Sequence, residues 1–163
     1  MPVFTTTAKF THRFSLPTTA TFSAAITILR DHDWLLRLDP ELDSYTHLEL
    51  PNEKPNAKTK TYRVTDNMAG IPKSIWDAKV NIDVQITDVD EGVDFLANAP
   101  MGVVQGAKWR IVKMEGGWQL VIETNITSSR LVIGIVKGKG EANAPMMGKA
   151  FIEALEVDVS TEP

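Results

Sequence analysis

Residues 80 to 86 read Val80-Asn81-Ile82-Asp83-Val84-Gln85-Ile86, an unbroken alternation of aliphatic and polar side chains. A period of two fits a strand with one buried and one wet face, whereas the apolar positions of a helix recur every three to four residues. The same parity carries back to Ala78 and Trp76 on the buried face, with Asp77 and Lys79 outside. Asp88 to Gly92 then supplies a turn, because Asp90-Glu91-Gly92 ends on the residue that best tolerates positive φ.

The alternation continues downstream. Val93, Phe95 and Ala97 share one face of a strand from Val93 to Ala99, and Asn98-Ala99-Pro100-Met101-Gly102 breaks it, since proline cannot donate to a central ladder. On a long strand from Val103 to Met114, Val103, Gln105, Ala107, Trp109 and Ile111 point inward, and Lys108 and Arg110 face water. Glu115-Gly116-Gly117 is a hairpin signal. Beyond it Trp118, Leu120, Ile122 and Thr124 oppose Gln119, Val121 and Glu123. Ile75 to Thr127 therefore reads as four consecutive antiparallel strands, and the rest of the chain is arranged around them.

Upstream, Val3 to Phe14 reads as a first strand, and Pro17-Thr18-Thr19 as a helix start with a threonine cap. Phe22, Ala25, Ile26 and Leu29 follow at helical spacing. Asp33 caps a short second helix carrying Trp34, Leu35 and Leu38, which Asp39-Pro40 ends. Residues 41 to 50 form a strand around Tyr45, His47 and Leu48, and Lys60 to Asp66 another, with Tyr62, Val64 and Asp66 on one face. Asn67 to Lys73 connects to the central strands. After Thr127, Ser128 to Val136 has the content of a helix start. Gly134, Gly138 and Gly140 each cost a helix about 1 kcal/mol relative to alanine, so a kinked or interrupted C-terminal helix is expected. It resumes near Ala144-Pro145, with proline in its first turn and Met147, Phe151, Ala154 and Leu155 as its apolar stripe. The element order predicts an α+β helix-grip fold over residues 1–163 as a single domain: two short helices after the first strand, and a seven-stranded curved antiparallel sheet whose concave face needs the C-terminal helix as cover.

A chain of 163 residues with 43% apolar content can bury a substantial core. Its zero cysteines exclude disulfide scaffolds, thiolate chemistry and iron–sulfur clusters. Neither an apolar run of about 18 residues nor a signal-like N-terminus is visible, so a cytoplasmic protein without an integral membrane segment is expected. The net charge of −4, with no basic stripe, argues against nucleic acid as a partner. His12, His32 and His47 are too far apart for a zinc motif, and Asp31-His32-Asp33 reads as helix capping, so no metal is expected. Residues 134 to 140 are glycine-rich but miss both phosphate-loop spacings, and read as a loop, a kink or a flexible gate. With no serine nucleophile elbow either, no cofactor is expected.

Three segments carry a resemblance: Asp31-His32-Asp33 leading to Leu38-Asp39-Pro40, Tyr62-Arg63-Val64-Thr65-Asp66, and Asn98-Ala99-Pro100-Met101-Gly102. With the element order, they resemble the START/Bet v1-like (SRPBCC) superfamily, and within it an uncharacterised fungal START-like family. The resemblance implies a deep apolar cavity between sheet and terminal helix that takes a hydrophobic small molecule. Parity sends Trp76, Phe95, Trp109, Trp118, Met147 and Phe151 inward, as ordinary core or, with Trp34 of the second helix, as the walls of such a cavity. Gln105, Thr124, Tyr62 and Asp66 share that interior and need partners there, and His32 lies close to the first helix's apolar stripe. Two readings of different kinds follow. One is a cofactor-free cyclase or isomerase, pericyclic chemistry included, in natural-product biosynthesis, with His32, Gln105 and Tyr62 as hydrogen-bond donors to the substrate. The other is a non-enzymatic lipid or sterol carrier. An interaction module with a filled core is a third. The oligomeric state is left open.

Overall fold

Alternating burial marks the inner strands of the computed structural model, which describes residues 4–54, 57–67 and 78–161, with side chains to residue 157. The elements are β1 (Thr5–Ser15), α1 (Phe22–Leu29), α2 (His32–Arg37), β2 (Leu42–Leu48), β3 (Thr59–Asn67), β4 (Lys79–Val89), β5 (Gly92–Ala99), β6 (Val103–Met114), β7 (Gly117–Ser129) and α3 (Arg130–Thr161). A short 3-10 turn, Pro100–Gly102, separates β5 from β6. The seven strands form one curved antiparallel sheet in the order β1-β7-β6-β5-β4-β3-β2. β1 and β2 therefore lie at opposite edges, and α1 and α2 carry the chain between them. The helix-grip layout predicted from the element order is the one observed.

Register fixes which side chains meet on the concave face. One cross-strand row runs Gln105, Ala97, Val84, Tyr62, His47, and a second runs Phe10, Thr124, Ala107, Phe95, Ile86. The inward parity of β4 to β7 holds: Val80, Val84, Ile86, Val93, Val103, Ala107, Trp109, Ile111, Leu120, Ile122 and Thr124 are buried. Ala78, expected on the same face, is exposed, because β4 begins only at Lys79. Trp76 and the 67–73 connection beyond Asn67 lie outside the described residues.

Local chemistry explains three other departures. α1 begins at Phe22 with Thr21 as its cap, accepting from the Ala24 amide at 3.1 Å, rather than with Thr18 or Thr19. α2 is capped by Asp31, which accepts from the Trp34 amide at 3.1 Å. Asp33, expected as the cap, sits inside the first turn and pairs with Arg37 four residues on. Finally, Ser128 continues β7 opposite Thr6, so the helix starts at Arg130 and runs without interruption to Thr161. Pro145 stands inside that helix, not in its first turn.

The glycines of α3 do not break it because packing outweighs propensity. The helix lies on β1 and β7, with α1 beside it. A Cβ at Gly140 would come within 3.0 Å of the Phe10 ring, and one at Gly148 would collide with the ring of Phe14. These two glycines let the helix approach β1 closely. Gly134 has nothing within 4 Å of its Cβ position. Opposite signs are expected from the same substitution: Gly134→Ala should stabilise by up to about 1 kcal/mol from propensity alone, and Gly148→Ala should destabilise by about 1–3 kcal/mol through overpacking. Urea denaturation midpoints check both; stabilisation by both variants would mean that α3 does not seat on Phe14.

Candidate functional site

Among the described residues, the buried apolar side chains fall into two clusters. A larger cluster gathers α1, α2, most of the sheet and the end of α3 around Leu29, Ile86, Leu120, Phe151 and Leu155. A smaller one joins Val80, Val103, Ile126 and Val132. Between them lies a cavity of about 260 Å³, partly open to solvent and lined by residues of both clusters. Its apolar walls come from Leu35, Leu36 and Leu38 of the α2 region, Phe95, Ala97, Ala107, Trp109 and Ile122 of the sheet, and Val136, Ala144 and Met147 of α3. Phe95 and Trp109 meet there with ring centroids 5.7 Å apart.

The polar groups fall into two sets. On the sheet are His12, Gln105 and Thr124, with the His12 Nε2 buried and without a hydrogen-bond partner among the described residues. At the other side are Asp39, Glu41 and Asp66, with Lys139 and Asn143 reaching in from α3. The β2–β3 pairing assembles this acidic corner. Leu42 lies opposite Asp66, and the Asn67 amide donates to the Glu41 carbonyl at 2.8 Å. The Glu41 amide in turn donates to Asp39 Oδ1 at 2.9 Å. Lys139 is ion-paired with Glu41 and so links α3 to the α2–β2 connection. Burial, a hydrogen-bonding contact with Asp39, and the charges of Asp39 and Glu41 together push the Asp66 carboxyl up to about 8.

Gln105, Asp66, Phe95, Trp109, Thr124 and Met147 all line this cavity. His32 and Tyr62, expected as donors beside Gln105, do not. Tyr62 stands three strands from Gln105, about 14 Å away at ordinary interstrand spacing. His32 is engaged at both ring nitrogens, by Tyr62 Oη and by Asp88 Oδ1, each at 2.8 Å. Trp34 and Phe151 pack edge to face with centroids 6.0 Å apart, and Trp118 packs at a tilt against Phe22 at 5.2 Å under Lys113. These side chains belong to the larger core cluster or pack against it. Parity names the correct face, but position along the strand decides between cavity and packed core. Sequence reasoning does not place Asp39, Glu41, Lys139 or Asn143 at a site: Asp39-Pro40 reads as a helix stop and as part of a segment that carries the family resemblance.

A curved sheet gripping a C-terminal helix around such a cavity is the START/Bet v1-like fold. Solved structures share the fold. The Zhui aromatase/cyclase from Streptomyces sp. R1128 matches with a TM-score of 0.66 at 14% identity, over 95% of this chain and 96% of that one. The di-domain ARO/CYC StfQ from the steffimycin biosynthetic pathway matches with a TM-score of 0.67 at 9% identity, over 95% of this chain and 53% of that one. A START superfamily protein from Mycobacterium smegmatis matches with a TM-score of 0.57 at 12% identity, over 92% of this chain and 97% of that one. No curated protein sequence matches. The chain belongs to the family described as domain of unknown function DUF7053, whose model matches residues 5–157. Among the described residues, no helix is long and apolar enough to cross a membrane.

Proposed function

We propose that the protein binds a hydrophobic small molecule in this cavity and catalyses its cyclisation or isomerisation, pericyclic chemistry included, within natural-product biosynthesis. The observation that carries the reading is the cavity's make-up: aliphatic and aromatic walls with hydrogen-bonding groups fixed at two sides. Apolar walls can hold a flexible substrate folded in a reactive shape, which lowers the entropic part of the barrier. Gln105, Thr124 and Asn143 supply amide and hydroxyl donors that can polarise a carbonyl as charge develops on it. The aromatase/cyclase neighbours support the same class of chemistry by their fold. The volume of about 260 Å³ lies just below the roughly 300–1,000 Å³ of most small-molecule sites, which favours a compact ligand over a sterol or two-chain lipid.

An environment-sensitive apolar dye should bind the folded protein saturably, and a substrate should displace it. Gln105→Ala should keep dye binding and the melting temperature but lower turnover by roughly tenfold or more, as loss of a transition-state donor does. No saturable dye binding would leave an interaction module with a filled core. Vesicle-to-vesicle transfer of a lipid without chemical change would make the protein a carrier.

A further inference from the structure

The acidic corner carries more than the hydrophobic-ligand reading uses. One carboxylate oxygen from each of Asp39, Glu41 and Asp66 lies within 4.8 Å of the others. Asp66 adds a separate observation. It is 5% exposed, its Oδ1 has no hydrogen-bond partner among the described residues, and the residue lines the cavity. A buried carboxyl oxygen without a donor is costly, so a hydrogen-bond donor or a cation in front of it would be stabilising. Among the described residues, Lys139 is ion-paired with Glu41.

We propose that Asp39, Glu41 and Asp66 form a divalent-cation site, taking a hard, oxygen-coordinated ion of the calcium or manganese class. The donor set holds neither thiolate nor imidazole, the ligands that favour zinc or copper. Oxygens on opposite sides of a calcium ion stand about 4.6–5.2 Å apart, against about 4.0–4.2 Å for magnesium. The three oxygens lie within 4.8 Å of one another, a spacing that ligands of one calcium ion can take. The site joins β3 to the α2–β2 connection, so an ion there would brace one wall of the cavity whether or not a ligand is bound. The proposal does not depend on the enzymatic reading. If both hold, the cofactor-free expectation gives way to a metal-assisted one.

The test uses the full chain, treated with chelator and titrated with calcium chloride or manganese chloride alone, read by calorimetry and thermal unfolding. Saturable one-site binding is expected, with a melting temperature that rises with ion concentration. Asp66→Asn and Glu41→Gln should each weaken binding by roughly tenfold or more, the loss that even an outer-shell partner can cause. Lys139→Met should tighten it, because a competing positive charge leaves. If Asp66→Asn does not fold, Glu41→Gln decides alone, since Glu41 is only partly buried. Folded wild-type protein that binds neither ion saturably would overturn the proposal. So would wild-type affinity in the carboxylate variants, or weaker binding by Lys139→Met.

Discussion

Ala107→Phe is expected to abolish ligand binding while leaving the protein at least as stable as the wild type. Ala107 sits at the middle of the concave face, between Thr124 of β7 and Phe95 of β5, and its side chain lines the cavity. In a filled interior, adding a ring would force side chains off their rotamers and cost about 1–3 kcal/mol. Here the ring enters open space of about 260 Å³ and removes apolar wall from water. Stability and binding should therefore separate. A dye titration and a melting curve on the same preparation check this. A variant that is strongly destabilised yet still binds dye would place the ligand elsewhere.

His32→Ala has the opposite signature: a large loss of stability with the cavity left intact. The imidazole is 9% exposed and bridges Tyr62 and Asp88. Removing it strands the Tyr62 hydroxyl, on a residue itself 7% exposed, and leaves a hole in the packing. Asp88 is less affected, because its side chain is 31% exposed and water can reach it. An orphaned buried donor and a lost side chain together should cost about 2–4 kcal/mol. Changing Tyr62 to phenylalanine as well should recover part of that loss, since no hydroxyl is then stranded. Denaturant midpoints across the four-protein cycle give the coupling. A His32→Ala protein with an unchanged midpoint and lost turnover would return His32 to the catalytic role first expected of it.

That reversal shows where sequence reasoning reaches its limit. Alternation states which face a side chain occupies, and it points Gln105, Thr124, Asp66, Phe95 and Trp109 to the face that carries the cavity. It does not state where along the strand the empty space begins. Trp118 and Tyr62 share the inward face with Trp109 but pack against Phe22 and His32 instead. Only register between strands resolves such rows, and register depends on pairings distant in sequence. Propensity misled at α3 for a related reason. Gly140 and Gly148 are helix-weakening residues in isolation, but they fit against Phe10 and Phe14 across more than a hundred residues of chain. The acidic corner was hidden differently. Asp39 and Glu41 join Asp66 only because Leu42 pairs with it, and no local spacing records that meeting.

Native mass spectrometry of the wild-type protein and of Ala107→Phe, each incubated with an organic extract of the source cells, tests the central claim most directly. The cavity account predicts a small hydrophobic molecule bound to the wild type, or converted to a cyclised or isomerised product, with neither outcome in the variant. An extract that yields no bound or altered molecule with the wild type, or an equal yield from both proteins, would contradict it.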